Sequence, residues 1–154
     1  MLIHKTNSFL IKGEFKNMIK EFKGKYYFLS NYSNSEIEIN GIKFLNAEAA
    51  FHSFKDIKRQ SEFSNLDPST AKRKGRNVRL RHDWEEVKDD IMYLVIKSKF
   101  EQNINLKDKL IATGDEYLEE GNTWNDVYWG VCKGRGKNML GKILMRVRSE
   151  LANI

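Results

Sequence analysis

The stretch "EIEINGIKFLNAEAAFHSFK", Glu36–Lys55, decides the fold, because its hydrophobic period changes halfway along. Up to Phe44, apolar and polar residues alternate around Asn40-Gly41. A type I′ turn favours that pair, since both central positions need positive φ, so strands over about 36–39 and 42–45 are predicted. From Asn46 the apolar spacing lengthens to that of a helix. Asn46 is the predicted N-cap, its side chain accepting an early backbone N–H, and the helix is predicted from Ala47 to about Arg59. Ala50, Phe54 and Ile57 share one side of it, which is core. Glu48, Phe51, His52 and Lys55 share the other. That second stripe reads either as solvated surface or as one wall of a site, where a buried carboxylate and ammonium need partners or a function.

Outward from this stretch the chain is helix-rich. "DPSTAKRKG" gives a short helix capped by Asp67, opened by Pro68 and ended at Gly75. "DWEEVKDDIMYLVIKSKFEQ" gives the longest buried helix, with Asp83 and Glu86 placed like a capping box and Trp84, Val87, Ile91, Leu94, Val95 and Ser98 in phase. "NLKDKLIATGD" gives another helix, stopped at Gly114. "NMLGKILMRVRSELA" gives the last, with Asn138 as cap and Leu140, Ile143, Leu144, Val147 and Leu151 facing inward. "EYLEEGNTWNDVYWGV" between them is strand-like but broken by turn chemistry. The fold class is α+β: a single compact domain over residues 1–154 with a small antiparallel sheet.

Composition bounds the function. The 154 residues include 40% apolar positions, with nine Phe, six Tyr and three Trp, enough for a real core despite 31% charge. No segment approaches the roughly 18–20 apolar residues that a membrane span needs. The N-terminal "MLIHKTNSFLIKGEF" is a poor signal peptide. A single cysteine, Cys132, excludes an internal disulfide framework and fits a reducing compartment, which makes cytoplasm the expected location. The net charge of +6 favours an anionic partner without choosing among nucleic acid, nucleotide and sugar phosphate. No metal-ligand spacing, H-E-x-x-H or phosphate-binding loop motif is present, so neither metal nor cofactor is expected.

Three further features carry chemistry. "KRKGRNVRLRH" holds Lys72, Arg73, Lys74, Arg76, Arg79 and Arg81, either a phosphate-binding patch or a solvated basic surface. "WNDVYWG" is either aromatic core or a stacking Trp129 beside a second carboxylate, Asp126. "GRGKN" precedes the last helix and is either a plain loop or an anion site of backbone N–H groups.

Taken in order, "FKGKYYFLSNYS", "FLNAEAAFHSFK", "GRNVRLRHDWEEVKDDIM", "KFEQNINLKDKLIATGDEYLEE" and "DVYWGVCKGRGKNMLGKILMRVRSEL" resemble the signature blocks of the NADAR/YbiA-like family, from about Phe22 to Leu151. The resemblance implies a compact α+β fold and hydrolysis of N-glycosidic bonds to ribose. The implied substrates are riboflavin-pathway phosphoribosylaminopyrimidines or ADP-ribose on guanine in nucleic acid. It implies catalytic roles for Glu48, Lys55 and Asp126. Glu48 would stabilise an oxocarbenium-like state or act as base, Lys55 would bind phosphate or attack opened ribose, and Asp126 would orient water or a hydroxyl. Substrate contacts fall to Ser30, Asn31, Arg76, Arg81, Trp84, Trp129, Gly130 and Asn138. At His52 the family more often has glutamine. Two other classes stay open: a nucleotide-binding sensor without turnover, and a nucleic-acid-binding module using the basic cluster. The role of the first twenty or so residues is not legible.

Overall fold

The computed structural model describes residues 17–153; the reading of the N-terminal segment as no signal peptide lies outside the described residues. The elements run β1 (Met18–Ile19), β2 (Ile37–Ile39), β3 (Ile42–Phe44), α1 (Ala47–Ser53), α2 (Pro68–Gly75), α3 (Trp84–Gln102), α4 (Ile104–Ala112), β4 (Tyr117–Leu118), β5 (Gly121–Asn122), β6 (Val131–Cys132) and α5 (Met139–Ala152). Single 3-10 segments at Gly24–Leu29 and Ile57–Phe63 join them. This is a helix-rich α+β fold with small sheets, as expected.

The hairpin forms as its turn dictates. Asn40 and Gly41 sit at φ 55° and 75°, and Ile37 pairs with Phe44 across β2 and β3. The other two ladders, β1–β4 and β5–β6, are parallel, whereas the sequence suggested antiparallel pairing alone. Strands of two residues are too short to leave a period in the sequence.

Helix α1 is capped as expected, with Asn46 Oδ1 accepting the Ala49 N–H at 2.7 Å. It ends at Ser53 rather than near Arg59. The Ser53 hydroxyl donates to the Ala50 carbonyl at 2.6 Å, the acceptor that Phe54 N–H would otherwise use, and that N–H turns back to Phe51 and His52 instead. The chain leaves the helix, and Ile57, expected in the core, is 52% exposed.

Helix α3 is the spine, packed against α1, α4, α5 and β2. Its buried face is Trp84, Ile91, Met92, Val95, Ile96, Lys99 and Phe100, rotated from the expected one, so that Leu94 is exposed. Its first turn carries no side-chain cap: Asp83 pairs with Arg81 at 2.6 Å instead of closing a capping box. Helix α5 buries the five apolar residues expected of it. One hydrophobic cluster running from Ile19 to Leu151 joins these elements.

Candidate active site

Helix α1, the turn at Ser30, helix α3 and the loop between β5 and β6 enclose a cavity of about 640 Å³. Each wall is fixed by local chemistry. Residues 28–33 are gripped from behind by Lys99, which is 0% exposed. Its Nζ donates to the Phe28 carbonyl at 2.7 Å, the Ser30 carbonyl at 3.0 Å and Ser33 Oγ at 3.1 Å. Three acceptors match the three N–H bonds of an ammonium, while burial pushes its pKa down to about 7. The loop 123–130 is braced by Asn122, whose side chain donates to the Asp126 carbonyl and accepts the Asp126 N–H. Asp126 Oδ1 in turn accepts the N–H groups of Tyr128 and Trp129.

The cavity has an aromatic wall. Phe51 lies between Trp84, with ring centroids 5.1 Å apart, and Trp129, at 5.4 Å. Phe51 is therefore part of the site's lining as well as of the core. The more exposed Tyr27 and Trp124 stand on the same cavity.

It also has three cations that make no ion pair within 4 Å among the described residues: Lys55, Lys72 and Arg76. Burial lowers the Lys55 pKa; Glu48 opposes that, and Arg76 and Lys72 add to it by repulsion. Cations without a carboxylate within 4 Å on one cavity can hold an anion. The rest of the basic cluster is engaged elsewhere: Lys74 with Glu62 at 3.0 Å, Arg81 with Asp83, and Arg73 with the Thr70 hydroxyl. It is not one continuous patch.

Three carboxylates complete the lining: Glu48, Asp126 and Glu120. Glu48 Oε1 is 2.9 Å from His52 Nε2. The other imidazole nitrogen, Nδ1, is buried without a hydrogen-bond partner among the described residues, and the ring lies where a Cβ on Gly75 would come within 2.4 Å of it. Among the described residues no three His, Cys, Asp or Glu side chains come together as metal ligands.

Of the residues singled out from sequence, Glu48, Lys55, Asp126, Ser30, Asn31, Arg76, Trp84 and Trp129 line this one cavity. Lys55 does so from beyond the end of α1. Arg81, Gly130 and Asn138 do not line it. Asn138 also lacks the expected cap bond: it takes φ 54°, and its side chain serves the Glu120 N–H at 3.0 Å and the Leu118 carbonyl at 2.8 Å. The "GRGKN" loop closes onto Gly130, where a Cβ on Gly136 would come within 2.1 Å of the Gly130 carbonyl.

Glu120 was missed. No sequence period marks it: Leu118 ends a strand of two residues and is fully buried, and the Glu120 carboxylate just beyond it lines the cavity. Burial, then Asp126 and Glu48, push its carboxyl up to about 8, against a smaller pull from Lys72.

An α+β domain with an aromatic wall, three free cations and three carboxylates on one cavity is equipped to work on a phosphorylated sugar bearing a flat group. Comparison with known proteins gives this class its family. The NADAR domain model matches residues 17–152, and the chain belongs to the NADAR family. It is 39% identical over 129 residues to the N-glycosidase YbiA of Shigella flexneri serotype 5b (strain 8401), covering 80% of each chain. It is 35% identical over 130 residues to a riboflavin biosynthesis protein of Vibrio vulnificus (strain YJ016), covering 80% of this chain and 35% of that one. The NMR structure of the Escherichia coli protein YbiA superposes with a TM-score of 0.81 at 34% identity, covering 90% of this chain and 87% of that one.

Proposed function

We propose that this chain, a single domain over its length, is an N-glycosidase that hydrolyses the bond between C1 of a phosphorylated ribose and a base or amine nitrogen. The observation that carries this is the unpaired trio Lys55, Lys72 and Arg76 on the same cavity as Glu48 and the Phe51–Trp84–Trp129 wall. The trio suits the phosphate and the wall a flat leaving group. As the C1–N bond breaks, positive charge spreads over C1 and the ring oxygen, and a carboxylate beside it lowers the barrier. Glu48 takes that role or activates water, and the His52 contact at 2.9 Å on one of its oxygens supports this reading. Asp126, one oxygen fixed by backbone N–H groups, orients water or a ribose hydroxyl through the other. Ser30 and Asn31 bond the ribose or base.

The relatives' names support phosphoribosylaminopyrimidines of the riboflavin pathway as substrates. ADP-ribose on guanine of a nucleic acid offers the cavity the same linkage, and we keep it as the finer alternative. The lowered pKa of Lys55 favours a second role, attack on opened ribose as a free amine. Borohydride added during turnover would then leave the sugar on Lys55. The buried free thiol of Cys132 supports a reducing, cytoplasmic setting.

The test is turnover of wild type and Glu48→Gln on three separate substrates: a phosphoribosylaminopyrimidine, guanine-ADP-ribosylated DNA, and NAD. Mass spectrometry follows release of base and reducing sugar. Release by wild type from one of them, lost in the variant with binding kept, supports the enzyme and names its leaving group. No release from any, with equal binding of ADP-ribose, would leave a sensor. Steeply salt-dependent binding to DNA that ignores Glu48 would leave a nucleic-acid module.

A further inference from the structure

We propose that Glu120 is the proton donor to the departing nitrogen, an inference that rests on the N-glycosidase reading. An aminopyrimidine or guanine nitrogen is a poor leaving group unless it is protonated as the bond breaks, and the carboxylate that steadies C1 cannot also supply that proton.

The geometry singles out Glu120. It lines the cavity with Glu48 and Asp126. Its Oε2 is buried and has no hydrogen-bond partner among the described residues. No cation pairs with it within 4 Å among the described residues. Burial above all, then the Asp126 and Glu48 carboxylates, make Glu120 keep a proton near neutrality, against a smaller pull from Lys72.

The frame around it is rigid. Asn138 Oδ1 accepts its N–H at 3.0 Å, and its carbonyl accepts the Val131 N–H at 2.9 Å. A Cβ at Gly130 would lie 2.2 Å from its carbonyl oxygen and 2.8 Å from Oε2. Gly130 and Asn138 thus act on the site by positioning Glu120.

The step balances as follows. The C1–N bond breaks with its electron pair going to nitrogen, and the carboxyl proton of Glu120 goes to the same nitrogen. Water oxygen then bonds C1, and the proton it loses goes to Glu48. Glu48 releases that proton to solvent and solvent returns one to Glu120, leaving free amine and reducing sugar, with one water consumed.

The experiment compares wild type and Glu120→Gln on two substrates sharing ribose 5-phosphate. One is a phosphoribosylaminopyrimidine; the other is 4-nitrophenyl riboside 5-phosphate, whose nitrophenolate departs without a proton. Calorimetry with ribose 5-phosphate checks the pocket in both proteins. The expected result is a loss of kcat of about 100- to 1000-fold on the aminopyrimidine but less than about tenfold on the nitrophenyl substrate, with phosphate binding intact. The wild-type alkaline fall in kcat on the aminopyrimidine, centred near pH 8, should vanish in the variant. Equal losses on both substrates, unchanged turnover on both, or lost phosphate binding would each overturn the proposal. Wild-type inactivity on both would instead overturn the N-glycosidase reading, and this proposal with it.

Discussion

Two ionisable groups, one behind the cavity and one on its wall, have buried polar atoms, and the protein treats them differently. Behind the Ser30 turn, Lys99 gives each N–H an oxygen. Beyond the end of β4, Glu120 has one buried oxygen with no hydrogen-bond partner among the described residues. Burying a polar group is costly unless it is hydrogen-bonded. A fully satisfied group therefore reads as scaffold, and an unsatisfied one on a cavity wall as a group held for a substrate. The same contrast divides the basic cluster, where Lys74 and Arg81 have carboxylate partners and, among the described residues, Lys72 and Arg76 have none.

The comparison breaks first at Lys99. Lys99→Met removes three hydrogen bonds from the 28–33 segment and is expected to lower stability by about 3–5 kcal/mol, read by urea unfolding. A loss under about 1 kcal/mol would mean that Lys99 is not scaffold.

Glu120→Gln should act in the opposite direction. The carboxyl ordinarily titrates near 4.5 and is pushed up to about 8 here, so the unfolded chain releases its proton first. The stability it lends is whole below pH 4.5 and is lost as pH rises through 8. The variant should equal wild type at pH 4 and exceed it by about 2–4 kcal/mol at pH 8.5. For Lys99 the folded pKa falls from 10.5 to about 7, so its share is whole above 10.5 and is lost as pH falls through 7. Wild-type stability should therefore dip near pH 7–8. Each variant should erase one flank of that dip in thermal scans.

Smaller effects sharpen the division of the cations. Lys72→Ala should raise KM about 10- to 100-fold for a phosphorylated substrate and leave the melting temperature unchanged. Lys74→Ala, which removes a surface pair, should shift stability by less than about 1 kcal/mol and leave KM alone.

What was legible in the sequence followed short-range rules. The Asn40-Gly41 turn, the Asn46 cap, the Pro68 helix and the inward face of α5 are each decided within one or two turns of chain. The premature end of α1 hung on one serine hydroxyl competing for a carbonyl, which spacing does not reveal. The buried face of α3 includes a lysine, Lys99, which an apolar period does not pick out. The parallel pairs depend on tertiary packing. Of the site, the wall carried by α1 and the Ser30 turn was found through family motifs. Glu120 was passed over because two adjacent glutamates look like solvated charge, and no sequence period marks which one lines the cavity.

His52 and Gly75 give the fold a historical constraint. The imidazole occupies the space where any larger residue at 75 would place its first carbon. A lineage carrying histidine at 52 therefore cannot vary position 75 freely, and one replacing it with a more pliant side chain regains that freedom. The two positions, on different helices, should change in a set order. The substitution at 52 opens the path, and alanine at 75 is tolerated only afterwards.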